Sequence, residues 1–182
     1  AILRSTLTVR GLTRTAVYVQ GSSSATFHSD IIASPGGRGI DLGTQAGYIS
    51  LVRSTVNGDG SFLDAINMMG ATYVTIDRSY LRGGSGYGAI AQTGSHHILF
   101  SNSVILGNAA GAEGLTLFNV TDSTVSDCVI DNPLGVGLRF QQGAKANSVY
   151  RSTITSSAGG GVGVFFDWVS SNTVSHSYIQ GS

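Results

Sequence analysis

The ionisable residues best placed for chemistry in this sequence are Asp41, Asp64 and Arg139. Cleavage of a glycosidic bond needs two carboxyl groups about 5–10 Å apart, and a nearby guanidinium can neutralise an anionic substrate group. Asp41 and Asp64 are the closest pair of carboxylates, because a repeat of 24 or 25 residues places them on adjacent turns of the chain. If the protein is an enzyme, these three residues are predicted to be catalytic.

Metal binding is a second chemistry to consider. Asp41, Asp59 and Asp64 could offer oxygen ligands to Ca²⁺. His96 and His97 are adjacent, and neighbouring residues on a strand point to opposite faces, so the sequence predicts that the two rings do not share a metal ion. The single cysteine excludes a disulfide framework and a cysteine-based zinc site.

A repeat that runs through the whole chain positions these residues. A small residue recurs at steps of 24 or 25 residues, with an apolar residue two positions later. Three positions earlier lies another residue, which is apolar in every copy except Thr26. The small residues are Ser5, Ser29, Ser54, Ser79, Ser103, Cys128, Ser152 and Ser177. Stacking of such units joins their few apolar side chains into one core, and Cys128 is interpreted as a buried replacement for Ser.

A second motif, Gly-apolar-x-apolar, predicts a further strand in each unit. Clear copies begin at Gly39, Gly114, Gly137 and Gly163. Apolar residues two positions apart indicate strands, glycine-rich segments between them indicate turns, and no stretch has a sustained helical period. The sequence therefore predicts one all-β domain over residues 1–182, a solenoid of about seven turns with three short strands per turn.

Together the two motifs resemble the parallel β-helix of the pectin-lyase-like superfamily, along essentially the whole chain. The resemblance implies a single-stranded right-handed parallel β-helix, in which the small-residue position is a tight corner whose hydroxyls bond the next turn and the turn backbone. It implies no single activity, because the superfamily contains lyases, hydrolases, epimerases, tailspikes and adhesins. The motifs of polygalacturonases and alginate epimerases are absent, and residues 74–78 match the pectate lyase motif Val-Trp-Ile-Asp-His at three positions only.

The outward positions of the Gly-apolar-x-apolar strand form a row that corresponds to the substrate groove of polysaccharide-active relatives. The predicted ligand-binding residues on and beside this row are Tyr18, Asp41, Asn67, Arg139, Gln141, Phe165 and Asp167. The aromatic rings would be platforms for sugars, and the polar groups would be hydrogen-bond partners. Thr116 belongs to the same row, but near residue 90 the pattern allows either Ile90 or the pair Ala89 and Ala91 to point outward.

A third column, immediately before the small-residue position, is rich in basic residues. It holds Arg4, His28, Arg53, Arg78, Asn102, Asp127, Arg151 and His176. In one interpretation these side chains cover the corner and extend into water, with Asp30, Asp77 and Asp127 neutralising the arginines. In the other, Arg4, Arg53, Arg78 and Arg151 form a basic ridge that binds an anionic polymer.

Composition excludes some classes of function. The net charge is zero and 11% of residues are charged, which gives no electrostatic footprint for nucleic acid, and no apolar run is long enough to span a bilayer. Low charge with many Ser, Thr and Gly residues is typical of extracellular or cell-surface solenoids. Neither end has a capping helix, so we expect a fragment or module whose ends are covered by flanking sequence, a partner or end-to-end stacking.

Two functions from different classes remain. The first is a non-catalytic extracellular solenoid module, structural or polysaccharide-binding, as in adhesins, fibres and tailspikes. The second is a polysaccharide lyase, hydrolase or epimerase acting on a uronate-containing glycan, with Arg139 neutralising the uronate carboxylate. Missing catalytic motifs, short uniform turns and the lack of a close acid–base pair on one face favour the first. No cofactor other than Ca²⁺ is suggested.

Overall fold

The computed structural model describes residues 1–9, 14–21, 24–61, 63–157 and 159–182. Within these residues the chain forms 23 strands. The described part contains no helix that could cross a membrane. The strands assemble into three parallel sheets of eight, eight and seven strands, which confirms the predicted all-β solenoid with three strands per turn.

Each turn contributes one strand to each sheet, and the strands are numbered here in chain order. The first sheet contains β1 (Ile2–Leu3), β4 (Ala25–His28), β7 (Gly47–Val52), β10 (Thr72–Asp77), β13 (His96–Ser101), β16 (Thr124–Ser126), β19 (Ser148–Tyr150) and β22 (Thr173–Ser175). The second contains β2 (Thr6–Thr8), β5 (Ile31–Ser34), β8 (Thr55–Ser61), β11 (Tyr80–Ser85), β14 (Val104–Leu106), β17 (Val129–Asp131), β20 (Thr153–Thr155) and β23 (Tyr178–Gln180). The third contains β3 (Val17–Val19), β6 (Ile40–Leu42), β9 (Ile66–Met69), β12 (Ala89–Gln92), β15 (Glu113–Phe118), β18 (Val136–Gln141) and β21 (Val164–Asp167).

The corner between the first and second sheets is a ladder of small residues, as the repeat predicts. The amide of Ser54 donates to Oγ of Ser79 at 3.2 Å, and the amide of Ser79 donates to Oγ of Ser103 at 3.1 Å. The Ser79 hydroxyl in turn donates to the carbonyl of Asp77, two residues earlier. Cys128 is buried in the same ladder, where its amide donates to Oγ of Ser152, so the interpretation as a small replacement is confirmed.

The second turn departs from the predicted register by one residue. The corner position holds Asp30 rather than Ser29. The evidence is the hydrogen bond that the amide of Ser5 donates to Oδ1 of Asp30 at 2.7 Å. Ile2 consequently pairs with Phe27, and the core position that the repeat assigns to Thr26 is filled by an aromatic ring.

Backbone conformation explains this register. The residue before the corner has a positive φ in every turn, and in the second turn that residue is Ser29, with φ 58°, rather than His28. His28 belongs to strand β4 instead. The predicted column is otherwise correct, since Arg4, Arg53, Arg78, Asn102, Asp127, Arg151 and His176 all have φ between 47° and 54°.

The third sheet shows which residues point inward. Ile66, Met68, Ala89 and Ala91 are buried in the core, so the ambiguous strand β12 turns Ile90 outward. The glycine before these strands is required by a close approach between turns. A Cβ atom on Gly137 would lie 2.7 Å from the carbonyl oxygen of the glycine one turn further on.

A second polar ladder, which the sequence motifs do not reveal, lies between the third and first sheets. Asn147 donates from Nδ2 to the Val120 carbonyl at 2.8 Å, and its amide donates to Oδ1 of Asn172 at 3.0 Å. The amide of Ser123 donates to Oδ1 of Asn147. Both ladders satisfy backbone groups at corners where the strands end.

Candidate functional site

The predicted outward row on the third sheet is in continuous register over seven turns. Its members pair in the order Tyr18, Asp41, Asn67, Ile90, Thr116, Arg139 and Phe165. Gln141 and Asp167 pair with each other two residues further along the strands. All seven residues predicted to bind a ligand therefore lie on this sheet.

Accessibility along the row is uneven. Tyr18 is 60% exposed and the ring of Phe165 is also accessible, whereas Asn67 is only 1% exposed. Thr116 is buried as well. The row therefore offers aromatic surface near its two ends and a partly covered polar centre, in which the buried members position their neighbours.

One half of this polar centre is built around Arg38 and Asp41. Arg38 lies between two carboxylates, with Nη1 3.4 Å from Oδ2 of Asp41 and Nε 3.2 Å from Oδ2 of Asp64. Asn67 donates from Nδ2 to Oδ1 of Asp41 at 2.7 Å, and Gln92 donates to Oδ1 of Asn67 at 2.7 Å. Side chains from three successive turns are thus held in fixed orientations.

The other half is built around Glu113 and Arg139. Nε of Arg139 lies 3.1 Å from Oε1 of Glu113, although it makes no aligned hydrogen bond among the described residues. The hydroxyl of Thr116 donates to Oε2 of Glu113 at 3.0 Å. The Arg139 guanidinium also lies over the ring of Phe165, 5.1 Å from its centre, so the polar centre continues into the exposed aromatic end of the row.

Three residues of this centre, Arg38, Tyr87 and Glu113, were not among the site residues predicted from the sequence. Together with Asp64 they occupy one column at the start of the strands of the third sheet. The backbone hydrogen bonds from Gly39 to Asp64, from Ala65 to Tyr87 and from Gly88 to Glu113 show this alignment. Asp64 and Glu113 are two turns apart, about 10 Å at the strand spacing of ~4.8 Å. The column therefore places two carboxyl groups on one face, although at this separation they do not touch.

Burial changes the protonation of this column. It raises the pKa of Asp64 to about 6, against the opposing effect of the Arg38 guanidinium. Burial also raises the pKa of Glu113, although Arg139, Thr116 and Tyr87 oppose the shift. The pKa of Tyr87 is raised by burial and then by the negative charge of Glu113. The column therefore holds two carboxyl groups that keep their protons to a higher pH than exposed ones do.

The three carboxylates predicted as calcium ligands each contact an arginine. Arg38 fills the space between Asp41 and Asp64, while Asp59 lies 3.7 Å from Nη1 of Arg82 on the next turn. Nowhere in the described residues do three or more His, Cys, Asp or Glu side chains form a metal-binding group.

The predicted basic ridge is partly neutralised. Arg78 binds Asp77 at 2.7 Å, and Arg151 binds Asp127 on the neighbouring turn through two hydrogen bonds of 2.8 and 2.9 Å. Asp30 does not neutralise an arginine, because its carboxylate accepts the amides of Ser5 and His28. Arg4 and Arg53 belong to the same corner.

The two adjacent histidines do share a face, contrary to the prediction. His97 has a φ of 54°, which breaks the alternation of the strand, and its Nδ1 lies 2.6 Å from Nδ1 of His96. The His97 ring continues a stack of Tyr48 and Tyr73 on the two preceding turns. This cluster lies at the corner between the third and first sheets.

Two further features lie beside the row. Trp168 follows strand β21 and is 88% exposed, which makes it the most accessible of the large apolar side chains in the described residues. A shallow cavity of about 200 Å³ lies between the second and third sheets and is lined by Ala110, Leu134, Gly135, Val136, Gly159, Gly160, Gly161 and Val162. None of the predicted site residues lines that cavity.

Comparison with known proteins identifies the fold. Neither the curated proteins nor the solved structures gave a match. A family model described as a right handed beta helix region matches residues 15–179, which is most of the chain. The match confirms the handedness that the sequence resemblance implied, and the chain belongs to the right-handed β-helix family.

Proposed function

We propose that this protein is a non-catalytic solenoid module that binds a neutral, hydroxyl-rich polysaccharide along the outer face of its third sheet. The observation that carries the proposal is the network of polar side chains that crosses successive turns between the exposed rings of Tyr18 and Phe165.

The network suits recognition of a polymer because it is already ordered. Asp41, Asn67 and Gln92 fix one another through hydrogen bonds of 2.7 Å, so little side-chain entropy is lost when a ligand binds. A polymer that lies along the solenoid axis meets a new turn every ~4.8 Å. Exposed aromatic rings give such a ligand apolar surface to pack against, as in many small-molecule sites.

The charges on this face favour a neutral ligand. Arg38 already contacts the carboxylates of Asp41 and Asp64, and Arg139 already contacts Glu113. An incoming uronate carboxylate would have to compete with these ion pairs. Sugar hydroxyl groups, in contrast, can use the remaining donor and acceptor positions without breaking any of them.

The composition supports a location outside the cell or at its surface. Only 11% of residues are charged, and 26 of the 182 are glycine. These features match the extracellular solenoids that the repeat resembles, and a surface location would give the module access to polysaccharides.

Hydrolysis of a glycan is the second candidate, and the column of buried acids is the observation that favours it. The separation of about 10 Å between Asp64 and Glu113 is close to the ~6.5–9.5 Å of inverting glycosidases, and both pKa values are raised. However, the two residues are only 3% and 4% exposed and both contact arginines. A substrate could reach them only after those ion pairs had opened, so we favour binding without cleavage.

A panel of purified neutral and uronate-containing polysaccharides tests the proposal. Binding and the formation of reducing or unsaturated ends would be measured together, with and without Ca²⁺. We expect affinity for at least one neutral polymer, no new ends, and no loss of affinity in 0.5 M salt, because a neutral ligand is not screened.

Other outcomes would contradict the proposal in distinct ways. New ends would make the protein an enzyme, and Asp64→Asn and Glu113→Gln would then show whether the buried acids are responsible. Binding restricted to uronate polymers would refute the neutral ligand. Failure to bind any polymer would refute the recognition function as a whole.

A further inference from the structure

We infer that His96 and His97 form a binding site for a tetragonal divalent transition-metal ion, of the type represented by Cu²⁺, at the corner between the third and first sheets. The site is separate from the polar row, so it does not depend on the proposed function. Its basis is the convergence of two imidazole nitrogens on one point.

The convergence comes from the backbone. In a regular strand His96 and His97 would point to opposite faces, but the positive φ of His97 turns both rings to the same side. The rings meet edge to face, with centres 4.9 Å apart, and their Nδ1 atoms are 2.6 Å apart. At this distance one Nδ1–H donates to the lone pair of the other Nδ1. A metal ion can replace that hydrogen once both nitrogens present lone pairs.

The nitrogen separation discriminates between metals. For metal–nitrogen bonds of about 2.05 Å, neighbouring ligands are about 2.9 Å apart at 90° and about 3.3 Å apart at the tetrahedral angle. The observed 2.6 Å is closer to the first value. Cu²⁺ and Ni²⁺ favour tetragonal coordination, Zn²⁺ favours a tetrahedron, and Cu²⁺ binds nitrogen ligands most tightly among the divalent first-row ions. The pair therefore fits Cu²⁺ best, with water in the remaining positions.

The surroundings hold the pair in place and supply charge. The Tyr73 ring stacks on His97 with centres 4.8 Å apart, and the Tyr48 ring stacks on Tyr73 at 5.0 Å. These contacts restrict rotation of the His97 ring. His96 pairs with Thr121, which places the exposed Asp122 one turn from His97, and Asp122 has no ion pair with another described residue. Its carboxylate would lower the cost of bringing a cation to this corner.

Titration of the intact chain with CuCl₂ tests the site. Electron paramagnetic resonance should show one bound Cu²⁺ with superhyperfine coupling to two nitrogens, and calorimetry should show at least tenfold weaker binding of Zn²⁺. His96→Ala and His97→Ala should each weaken Cu²⁺ binding at least tenfold. His176→Ala is the matched control, because His176 is also exposed with a positive φ but has no histidine beside it. It should leave the affinity unchanged.

A second set of variants tests the role of the stack. Tyr73→Phe keeps an aromatic ring under His97 and should keep the affinity, while Tyr73→Ala should lower it. Thermal unfolding followed by circular dichroism would verify that each variant is folded. Coupling to one nitrogen or none, tighter binding of Zn²⁺ than of Cu²⁺, or wild-type affinity in both histidine variants would each overturn the inference and leave the pair as a simple hydrogen bond.

Discussion

The buried carboxyl group of Asp64 predicts an unusual dependence of stability on pH. Burial raises the pKa of Asp64 from 3.8 to about 6 in the folded protein. Between these values the folded state retains a proton that the unfolded state has lost. The stability that this group contributes is therefore fully present below pH 3.8 and is lost as the pH rises through about 6. A shift of roughly two pKa units corresponds to about 3 kcal/mol.

Asp64→Asn removes this effect, because the amide is neutral at every pH and can still accept the Tyr87 amide that Asp64 accepts. The free energy of unfolding would be measured in urea at several pH values for both proteins. The difference between variant and wild type should change in favour of the variant by about 3 kcal/mol from pH 3.5 to pH 7.5. Asp59→Asn, which removes an exposed carboxylate that contacts Arg82, controls for the loss of one negative charge. The reasoning would be refuted if the difference between Asp64→Asn and wild type were constant with pH, or if it changed in favour of wild type as the pH rose.

Three further predictions concern the core and the corner ladder. Asp30→Ala leaves two backbone amides unpaired and should lower the free energy of unfolding by about 1–3 kcal/mol per amide. Ser29→Ala should change it by less than about 0.5 kcal/mol. Urea unfolding of both variants tests whether Asp30 holds the corner position, and equal effects would contradict that register. Phe140→Ala should cost about 3–5 kcal/mol in the same assay, because the ring is fully buried, and a cost near zero would contradict its place in the core. Burial raises the pKa of Cys128 to about 11, so a thiol reagent should label it only after unfolding, and labelling of the native protein would refute this.

The sequence predicts the main features of the fold because the repeat carries redundant information. Each strand position occurs seven or eight times, so the inward and outward rows can be assigned even where single copies are weak. The assignment is wrong in the second turn, where Ser29 and Asp30 are both small and polar and Ile31 and Ile32 are both apolar. The one sequence signal for the shift is Thr26, the only polar residue in its row, because the shifted register places the apolar Phe27 there instead.

The side-chain network was harder to predict. Asp41 and Arg139 are in the row, but their partners Arg38 and Glu113 belong to the column at the start of the strands. A signal was available, since Arg38 and Glu113 each precede the glycine that begins a Gly-apolar-x-apolar motif. The burial of Asn67 had no such signal, because exposure on the outside of a sheet depends on how neighbouring side chains cover it.

The histidine pair shows a further limit of strand patterns. Alternation predicts that His96 and His97 diverge, and it fails because His97 adopts a positive φ, which is uncommon for a residue other than glycine. Tyr48 and Tyr73 have the same conformation at this corner on the two preceding turns. The conformation therefore belongs to the corner of the solenoid and not to the histidine itself.

The most direct test of the proposed function compares two tyrosines with nearly identical surroundings. Tyr18 on the third sheet is 60% exposed and donates to Oε1 of Gln20, while Tyr178 on the second sheet is 59% exposed and donates to Oε1 of Gln180. Affinity for the neutral polymer found in the panel would be measured for Tyr18→Ala, Tyr178→Ala and the ridge variant Arg151→Ala, in low salt and in 0.5 M salt. We predict that Tyr18→Ala alone weakens binding, by about tenfold, a loss of about 1.4 kcal/mol, and that salt has no effect. Loss of binding in Arg151→Ala or in high salt, with Tyr18→Ala unaffected, would contradict the account and place the ligand on the basic ridge.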